Sequence, residues 1–314
     1  MTNNFPLLLD VIGNTPLVKL DKIGRNVKAN IFAKLEFMNP GGSVKDRIAR
    51  YMIEKAEREG KIKPGDTIIE NSSGNTAIGL AMVAVQKGYK CKIVIRDTTS
   101  PEKIRMLQHL GAETILVDAS LPPEDENSYN NFAKKLAQQT ANSYYVDQHN
   151  NLDNNEAHYH STGPEIWQQT AGQVDFLACG VGTGGTLFGA GRYLKEQNPN
   201  IKLIGIDPVG SVFYDYFKRG KKIRPNRYSL EGLGDEFILP TVQFELLDDM
   251  IQVDDQTAFE YTRKLAREEG IIAGGSSGAN LYGALKIAEK IDKPVNIVTV
   301  FPDSGFRYMS SIFK

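Results

Sequence analysis

Two cysteines in 314 residues are too few for a disulfide framework. Cys91 and Cys179 also stand far apart in apolar, strand-like runs, which argues against a cysteine metal site, so no metal is expected and a reducing cytoplasm fits. An excess of charge of one sign is missing too. The chain has 37 basic and 38 acidic residues and a formal net charge of -1, which gives no electrostatic reason for a nucleic acid or an anionic membrane as partner. Small molecules are the expected partners. No run approaches the ~20 apolar residues of a membrane span. Met1 to Asp10, despite Leu7-Leu8-Leu9, has neither a basic leader region nor a cleavage-like site. Internal repeats and low-complexity segments are lacking. What is present is an ordinary globular composition, 41% hydrophobic and 24% charged, in a chain that suits two subdomains better than one core.

The apolar pattern alternates between strands and helices. After the turn Ile12-Gly13-Asn14-Thr15-Pro16 and a short extended piece, a strand is predicted over 30–37, a helix over 44–59, a strand over 66–70, a helix over 74–87 and a strand over 90–95. A helix over 101–110, a strand over 113–117, a helix over 128–140 and a strand over 143–146 follow. A second unit opens near Asn150 with a helix over 155–170, a strand over 175–179, a helix ending near Gln197 and a strand over 202–207. Residues 208–241 read as loops with short elements. The chain closes with a helix over 255–269, a glycine-serine turn, a helix to about Ile291 and a strand over 295–300. The order predicts α/β architecture, with two subdomains of mostly parallel sheet layered between helices and ligands at the carboxyl ends of strands.

Lys45 is the residue that an ordinary helix would not choose. Following Asn39-Pro40-Gly41-Gly42, Ser43 is a predicted N-cap, Asp46 sits at the third position, and Ile48, Ala49, Met52, Ile53 and Ala56 form one apolar stripe. Lys45 lies beside that stripe in the first turn, where the positive end of the helix dipole repels a cation. Burial and dipole both push its pKa down, as a nucleophilic or basic amine requires. Taken alone, it reads more readily as a lysine snorkelling from the edge of a core helix.

Three polar turns follow strands and open helices. Gly180-Val181-Gly182-Thr183-Gly184-Gly185-Thr186 has backbone amides and two hydroxyls suited to a phosphate on a helix N-terminus. Gly180, Gly182 and Gly185 also satisfy G-x-G-x-x-G, and Asp207 ends the next strand 22 residues after Gly185, so a dinucleotide site with its ribose-binding acid stays open here. Asn71-Ser72-Ser73-Gly74-Asn75-Thr76 suits an anion such as a carboxylate, or is a helix-capping cluster. Gly274-Gly275-Ser276-Ser277-Gly278 offers a hydroxyl to a ring nitrogen, or again a cap.

The motifs PGGSVKDR with Lys45, SGNTA with Asn75, GTGGT from Gly182 to Thr186 and GGSSG with Ser276 occur in the order and spacing of one family. The chain resembles the cysteine synthase and cystathionine β-synthase family, pyridoxal-phosphate enzymes of the tryptophan-synthase-β type, known as fold type II. IGNTPLV near the start and Phe301-Pro302-Asp303 agree, so the resemblance spans essentially the whole chain. Glu231-Gly232-Leu233-Gly234-Asp235-Glu236-Phe237, KPGDTIIE and AHYH look closer to the cystathionine β-synthase catalytic core. Neither that enzyme's C-terminal regulatory extension nor its N-terminal haem segment is expected here.

The resemblance implies that Lys45 forms the Schiff base with pyridoxal 5'-phosphate and that Gly182, Thr183, Gly184, Gly185 and Thr186 cradle its phosphate. Asn75 would bond the ring hydroxyl and Ser276 the pyridine nitrogen. A neutral serine there leaves that nitrogen unprotonated and favours prompt departure of a β-leaving group. Ser72, Ser73, Thr76 and Gln148 would hold the substrate carboxylate. Beyond the resemblance, Glu231 is expected to contribute to the substrate site, and Asp235, where the family more often carries an aromatic or apolar side chain, is expected to act as a base in the second half-reaction because its glycine-flanked loop could carry it over the cleft. Asn71 and Ala77 depart from the family's usual residues. The implied activity is β-replacement or β-elimination on cysteine, serine or O-acetylserine through an aminoacrylate. Its products are cysteine, a thioether such as cystathionine or lanthionine, or hydrogen sulfide. Residues 1–40 and 150–314 are expected to form a large cofactor-binding domain and 41–149 a small substrate-binding one, in a cytoplasmic homodimer. Three other readings remain: an NAD-dependent oxidoreductase built on Gly180 to Gly185 and Asp207, a synthase of the 2,3-diaminopropionate kind with an amine nucleophile, and a ligand-binding protein of the same fold without chemistry.

Overall fold

The computed structural model describes residues 5–122 and 124–314. The first four residues of the Met1–Asp10 stretch lie outside the described residues. The chain divides into two compact units, one of Asn39–Asp153 with the described residues up to Ile12, the other of Gly13–Met38 with Asn154–Lys314.

In the first unit β3 (Thr67–Asn71), β4 (Lys90–Arg96), β5 (Glu113–Val117) and β6 (Ser143–Tyr145) form an all-parallel sheet in the order β5-β4-β3-β6. Its helices are α1 (Lys45–Arg58), α2 (Asn75–Lys87), α3 (Pro101–His109) and α4 (Tyr129–Gln139). The stripe Ile48, Ala49, Met52, Ile53 and Ala56 is almost wholly buried, and each large apolar side chain so placed contributes about 1.5–3 kcal/mol. The start of α1 differs in detail from the expected cap. The Ser43 hydroxyl accepts from the Lys45 N–H at 3.2 Å, while the Asp46 carboxylate reaches back to the Gly41 N–H at 2.6 Å. The helix stops at Gly60, whose φ of +69° lets Lys61 N–H turn back to the Ala56 carbonyl.

The second unit holds β1 (Leu17–Lys19), β2 (Asn30–Leu35), β7 (Phe176–Gly180), β8 (Lys202–Pro208), β9 (Asp249–Val253) and β10 (Asn296–Phe301) in the order β1-β2-β10-β7-β8-β9. Only β1 pairs antiparallel, with β2. Its helices are α5 (Asp153–Tyr159), α6 (Thr162–Gln169), α7 (Gly185–Gln197), α8 (Phe213–Arg219), α9 (Asp255–Lys264) and α10 (Gly275–Ala288). The fold is thus α/β with two mostly parallel sheets and flanking helices. Lys34, without exposure, ties β2 to α6: its Nζ donates to the Thr15 carbonyl, to Glu165 Oε2 at 2.7 Å and to Gln169 Oε1 at 2.9 Å. Removing one partner from such a buried pair costs ~3–5 kcal/mol.

The single helix expected over 155–170 is instead two, broken at Ser161. Pro164 lacks an N–H and would clash within a longer helix, but it is tolerated in the first turn of α6. The helix expected to run to Glu269 passes into a π-helical turn over Leu265–Glu269. The strand β9 was not foreseen, since its residues Asp249, Met250, Ile251 and Gln252 show little apolar alternation. Among the described residues no helix is long and apolar enough to cross a membrane, and Cys91 and Cys179 are both buried and not joined in a disulfide.

Candidate active site

Lys45 is the first residue of α1, half-buried, between the buried Val44 and Asp46. The turn is pressed against α2 at Gly79, where a β-carbon would come within 3.2 Å of the Lys45 carbonyl and 3.0 Å of Ala49 Cβ. A β-carbon there would crowd the two helices, so glycine eases their close approach. Helix α2 begins where the Ser72–Thr76 loop ends, so the structure brings Lys45 and that loop onto two helices packed directly together.

The loop grows from β3, every residue of which is buried. Its N-cap, Gly74, makes no side-chain capping bond, which leaves the positive end of α2 to other partners. The Thr76 hydroxyl donates to Gln148 Oε1 at 2.6 Å. Ser72 is buried and its hydroxyl accepts from the Gly74 N–H at 3.3 Å. Ser73 donates from backbone and side chain to the Tyr129 hydroxyl, whose pKa burial pushes up. Asn75 is the first residue of α2 and half-buried. Gln148 is positioned by Asp147, a non-glycine residue at φ +52° whose side-chain oxygen accepts from Asn150 Nδ2. The Asn71 side chain is not at the mouth of the loop: it spans Tyr145 and Asn130 at 2.6 and 2.7 Å. Ala77 has no exposure.

In the second unit, the turn after β7 is compressed from several sides. A β-carbon at Gly182 would lie 2.3 Å from the Gly232 carbonyl, at Gly184 2.7 Å from that of Thr241, and at Gly185 1.8 Å from Asn154 Oδ1. Gly184 is the N-cap of α7 at φ +81°, with no side-chain cap. Backbone amides, a helix N-terminus and the hydroxyls of Thr183 and Thr186 thus form a cradle of phosphate-binding character. Three polar residues of α5 brace it without solvent exposure of their own. Asn154 Nδ2 donates to Thr183 Oγ1 at 3.0 Å, Asn155 Nδ2 donates to the Thr241 carbonyl at 2.9 Å, and His158 lies between Thr162 and Thr186 at 2.8 and 3.3 Å. None of the three was foreseen. The sequence signal was there, a helix carrying polar residues at i, i+1 and i+4 on a face with no exposed role.

Ser276 is the second residue of α10 and buried. The turn before it is braced by the Phe301-Pro302-Asp303 motif: Gly274 N–H donates to the Asp303 carbonyl, and a β-carbon at Gly274 would lie 2.1 Å from Asp303 Oδ1. Glu231 is exposed. Asp235 is half-buried, and its Oδ1 accepts from the N–H groups of Glu236 and Phe237 at 2.7 and 3.0 Å. The glycines on either side of Leu233, at φ +78° and +71°, give this turn its shape.

Asp207 corrects the dinucleotide reading. Its carboxyl is fully buried, accepts from the Tyr214 N–H at 2.9 Å and has its pKa raised to about 7 by burial, so it is not presented to a ribose. The glycines of the apparent fingerprint are each accounted for by packing: Gly180 on Leu233, Gly182 on Gly232 and Gly185 on Asn154.

The first unit carries half-buried Lys45 at a helix start and a hydroxyl-rich turn at the N-terminus of α2, and the second carries a glycine cradle at the N-terminus of α7, each a feature of α/β enzymes that handle anionic small molecules. The chain belongs to the pyridoxal-phosphate dependent enzyme family, whose model matches residues 8–303. It is 44% identical over 311 residues to a cystathionine beta-synthase of Apis mellifera, covering 98% of this chain but 61% of that protein. It is 45% identical over 306 residues to a cysteine synthase of Staphylococcus aureus, covering 97% and 95%. Among solved structures it is similar to a hydrogen sulfide-producing enzyme from Fusobacterium nucleatum, with a TM-score of 0.89, 38% identity and coverage of 97% and 98%. These relatives favour neither the dinucleotide reading nor an amine-adding synthase.

Pyridoxal phosphate suits the residues present. A phosphate dianion needs close backbone amides, and the collisions that any β-carbon would make at Gly182, Gly184 and Gly185 show why only glycine serves in this cradle.

Proposed function

We propose that this protein catalyses β-replacement and β-elimination on a small L-amino acid with a leaving group on Cβ: cysteine, serine or O-acetylserine. The products are cysteine, a thioether such as cystathionine or lanthionine, or hydrogen sulfide. The observation that carries this reading is Lys45 at the start of α1, packed through Gly79 onto the helix that opens with the Ser72–Thr76 loop. The named activities of the relatives support it, sulfide release included.

Bound pyridoxal phosphate supplies an electron sink that weakens bonds at the substrate's Cα and Cβ. Lys45 Nζ would anchor the cofactor and, freed from it, would serve as the base for the substrate's Cα proton. Gly182, Thr183, Gly184, Gly185 and Thr186 hold the phosphate, Asn75 the ring hydroxyl, and Ser276 the ring nitrogen. Ser72, Ser73, Thr76 and Gln148 receive the substrate carboxylate, and Glu231 contributes to the substrate site. Asp235 takes a proton from the incoming thiol or water, a role that requires its turn to release Oδ1. The larger unit serves the cofactor and the smaller one the substrate, in a cytoplasmic homodimer.

The test is product analysis by mass spectrometry with cysteine, serine and O-acetylserine in turn, each with and without homocysteine or sulfide. At least one donor should give cysteine, a thioether or sulfide, and Lys45→Ala should give none. Asp235→Asn should keep amino-acid affinity while slowing product formation. An inert wild type with every donor, or a fully active Lys45→Ala, overturns the reading.

A further inference from the structure

Glu70 is the next-to-last residue of β3 and leads directly into the Ser72–Thr76 loop. It has no solvent exposure. Oε2 faces the Gln148 N–H at 3.4 Å, and Oε1 has no hydrogen-bond partner among the described residues. The titratable groups around it come from each neighbouring element. They are Asp147 after β6, Tyr145 on β6, Tyr129 on α4 and Cys91 on β4. Arg96, at the end of β4, stacks over the ring of Tyr129, 4.7 Å from its centroid. A carboxylate here would be desolvated, would face the charge of Asp147 and would lack a cation, so the neutral acid is the stable form. Burial first and Asp147 second raise its pKa to about 8, against the opposing N–H groups of Gln148, Asn71 and Asp147.

The same acid connects to the proposed substrate loop in two steps. It meets the backbone of Gln148, and the Gln148 side chain accepts from Thr76 Oγ1 at 2.6 Å. We propose that Glu70 is a positioning residue that must carry its proton for Ser72–Thr76 and Gln148 to accept the substrate's carboxylate, and that its ionisation drives that carboxylate out. The proposal rests on the reading of this loop as the carboxylate site. The physical cause is like-charge repulsion across a low-dielectric interior, together with a stronger pull of the ionised acid on the Gln148 N–H.

Propionate, a carboxylate without an amine, is the probe, measured as a competitive inhibitor of the holoenzyme. Between about pH 7 and about pH 9 the protonated fraction of Glu70 falls roughly tenfold, so the wild-type inhibition constant should rise about tenfold. In Glu70→Gln, neutral at every pH, it should stay flat. The same pH response in both proteins overturns the proposal. Should Glu70→Gln fail to fold, calorimetry of propionate binding to wild type near pH 9, in buffers of different ionisation enthalpy, should show uptake of close to a proton, and no uptake overturns it. Thr76→Ala separates the two levels. Weaker propionate binding in Thr76→Ala, with identical pH responses in wild type and Glu70→Gln, sinks Glu70 alone. An unchanged constant in Thr76→Ala removes the loop reading and the role of Glu70 with it.

Discussion

Asn154 shows how a single buried amide can brace the turn proposed to cradle the cofactor's phosphate. Its Nδ2 donates to Thr183 Oγ1, and its Oδ1 stands where a β-carbon of Gly185 would be. With the amide removed, the Thr183 hydroxyl loses a buried partner and the cradle loses a wall, at a cost of about 1–2 kcal/mol, roughly five- to thirtyfold in an equilibrium. Asn154→Ala should therefore weaken retention of pyridoxal phosphate by that factor, as measured by equilibrium dialysis. The affinity of the loaded enzyme for amino acids should be unchanged. At this scale the sequence pointed to the motif residues but gave Glu70 no role, and the polar spacing of Asn154, Asn155 and His158 did not say what they brace. Their parts come from neighbours far along the chain, such as Gln148 for Glu70, Thr183 for Asn154 and Thr186 for His158.

At the scale of elements, the contact between α1 and α2 decides where Lys45 sits. Gly79 lies against the Lys45 carbonyl and Ala49 Cβ, and a branched side chain there must push the first turn of α1 aside. Overpacking of this kind costs ~1–3 kcal/mol. Gly79→Val should lower the denaturant midpoint accordingly and reduce activity more than its stability loss explains, while Gly79→Ala, closer to tolerated contact, should show less of both. Unchanged kcat in a folded Gly79→Val would show that the first turn of α1 is not held by this contact. The stripe of α1, the buried β3 and the helix stop at Gly60 were all legible locally, because periodicity and a left-handed glycine are properties of the segment itself. The break between α5 and α6 was missed although Pro164 announces it. The edge strand β9 was not legible, because its pairing with β8 comes from register rather than from its own apolar pattern.

For the whole molecule, two buried carboxyls set the direction of pH dependence. Glu70 and Asp207 have folded-state pKa values raised to about 8 and about 7 by burial. The folded chain therefore binds more protons than the unfolded one between the ordinary carboxyl range and those values. Their contribution to stability is fully present at acid pH below that range and is lost as the pH rises to about 7 for Asp207 and about 8 for Glu70. Denaturant midpoints should fall from about pH 5.5 to about pH 8.5, and Glu70→Gln or Asp207→Asn should each flatten the decline. The α/β class, the alternation of elements, the place of Lys45 at a helix start and the polar turns that open α2 and α7 were determined by the sequence itself, because hydrophobic period, turn chemistry and motif spacing are encoded within a few neighbouring residues. Only the tertiary structure decided that Asp207 is a buried acid rather than a ribose ligand, that the glycines of its apparent fingerprint serve packing, and that Glu70 is buried behind the Ser72–Thr76 loop. Burial, pKa and close approach depend on what the fold places around a side chain, and those neighbours are drawn from distant parts of the chain.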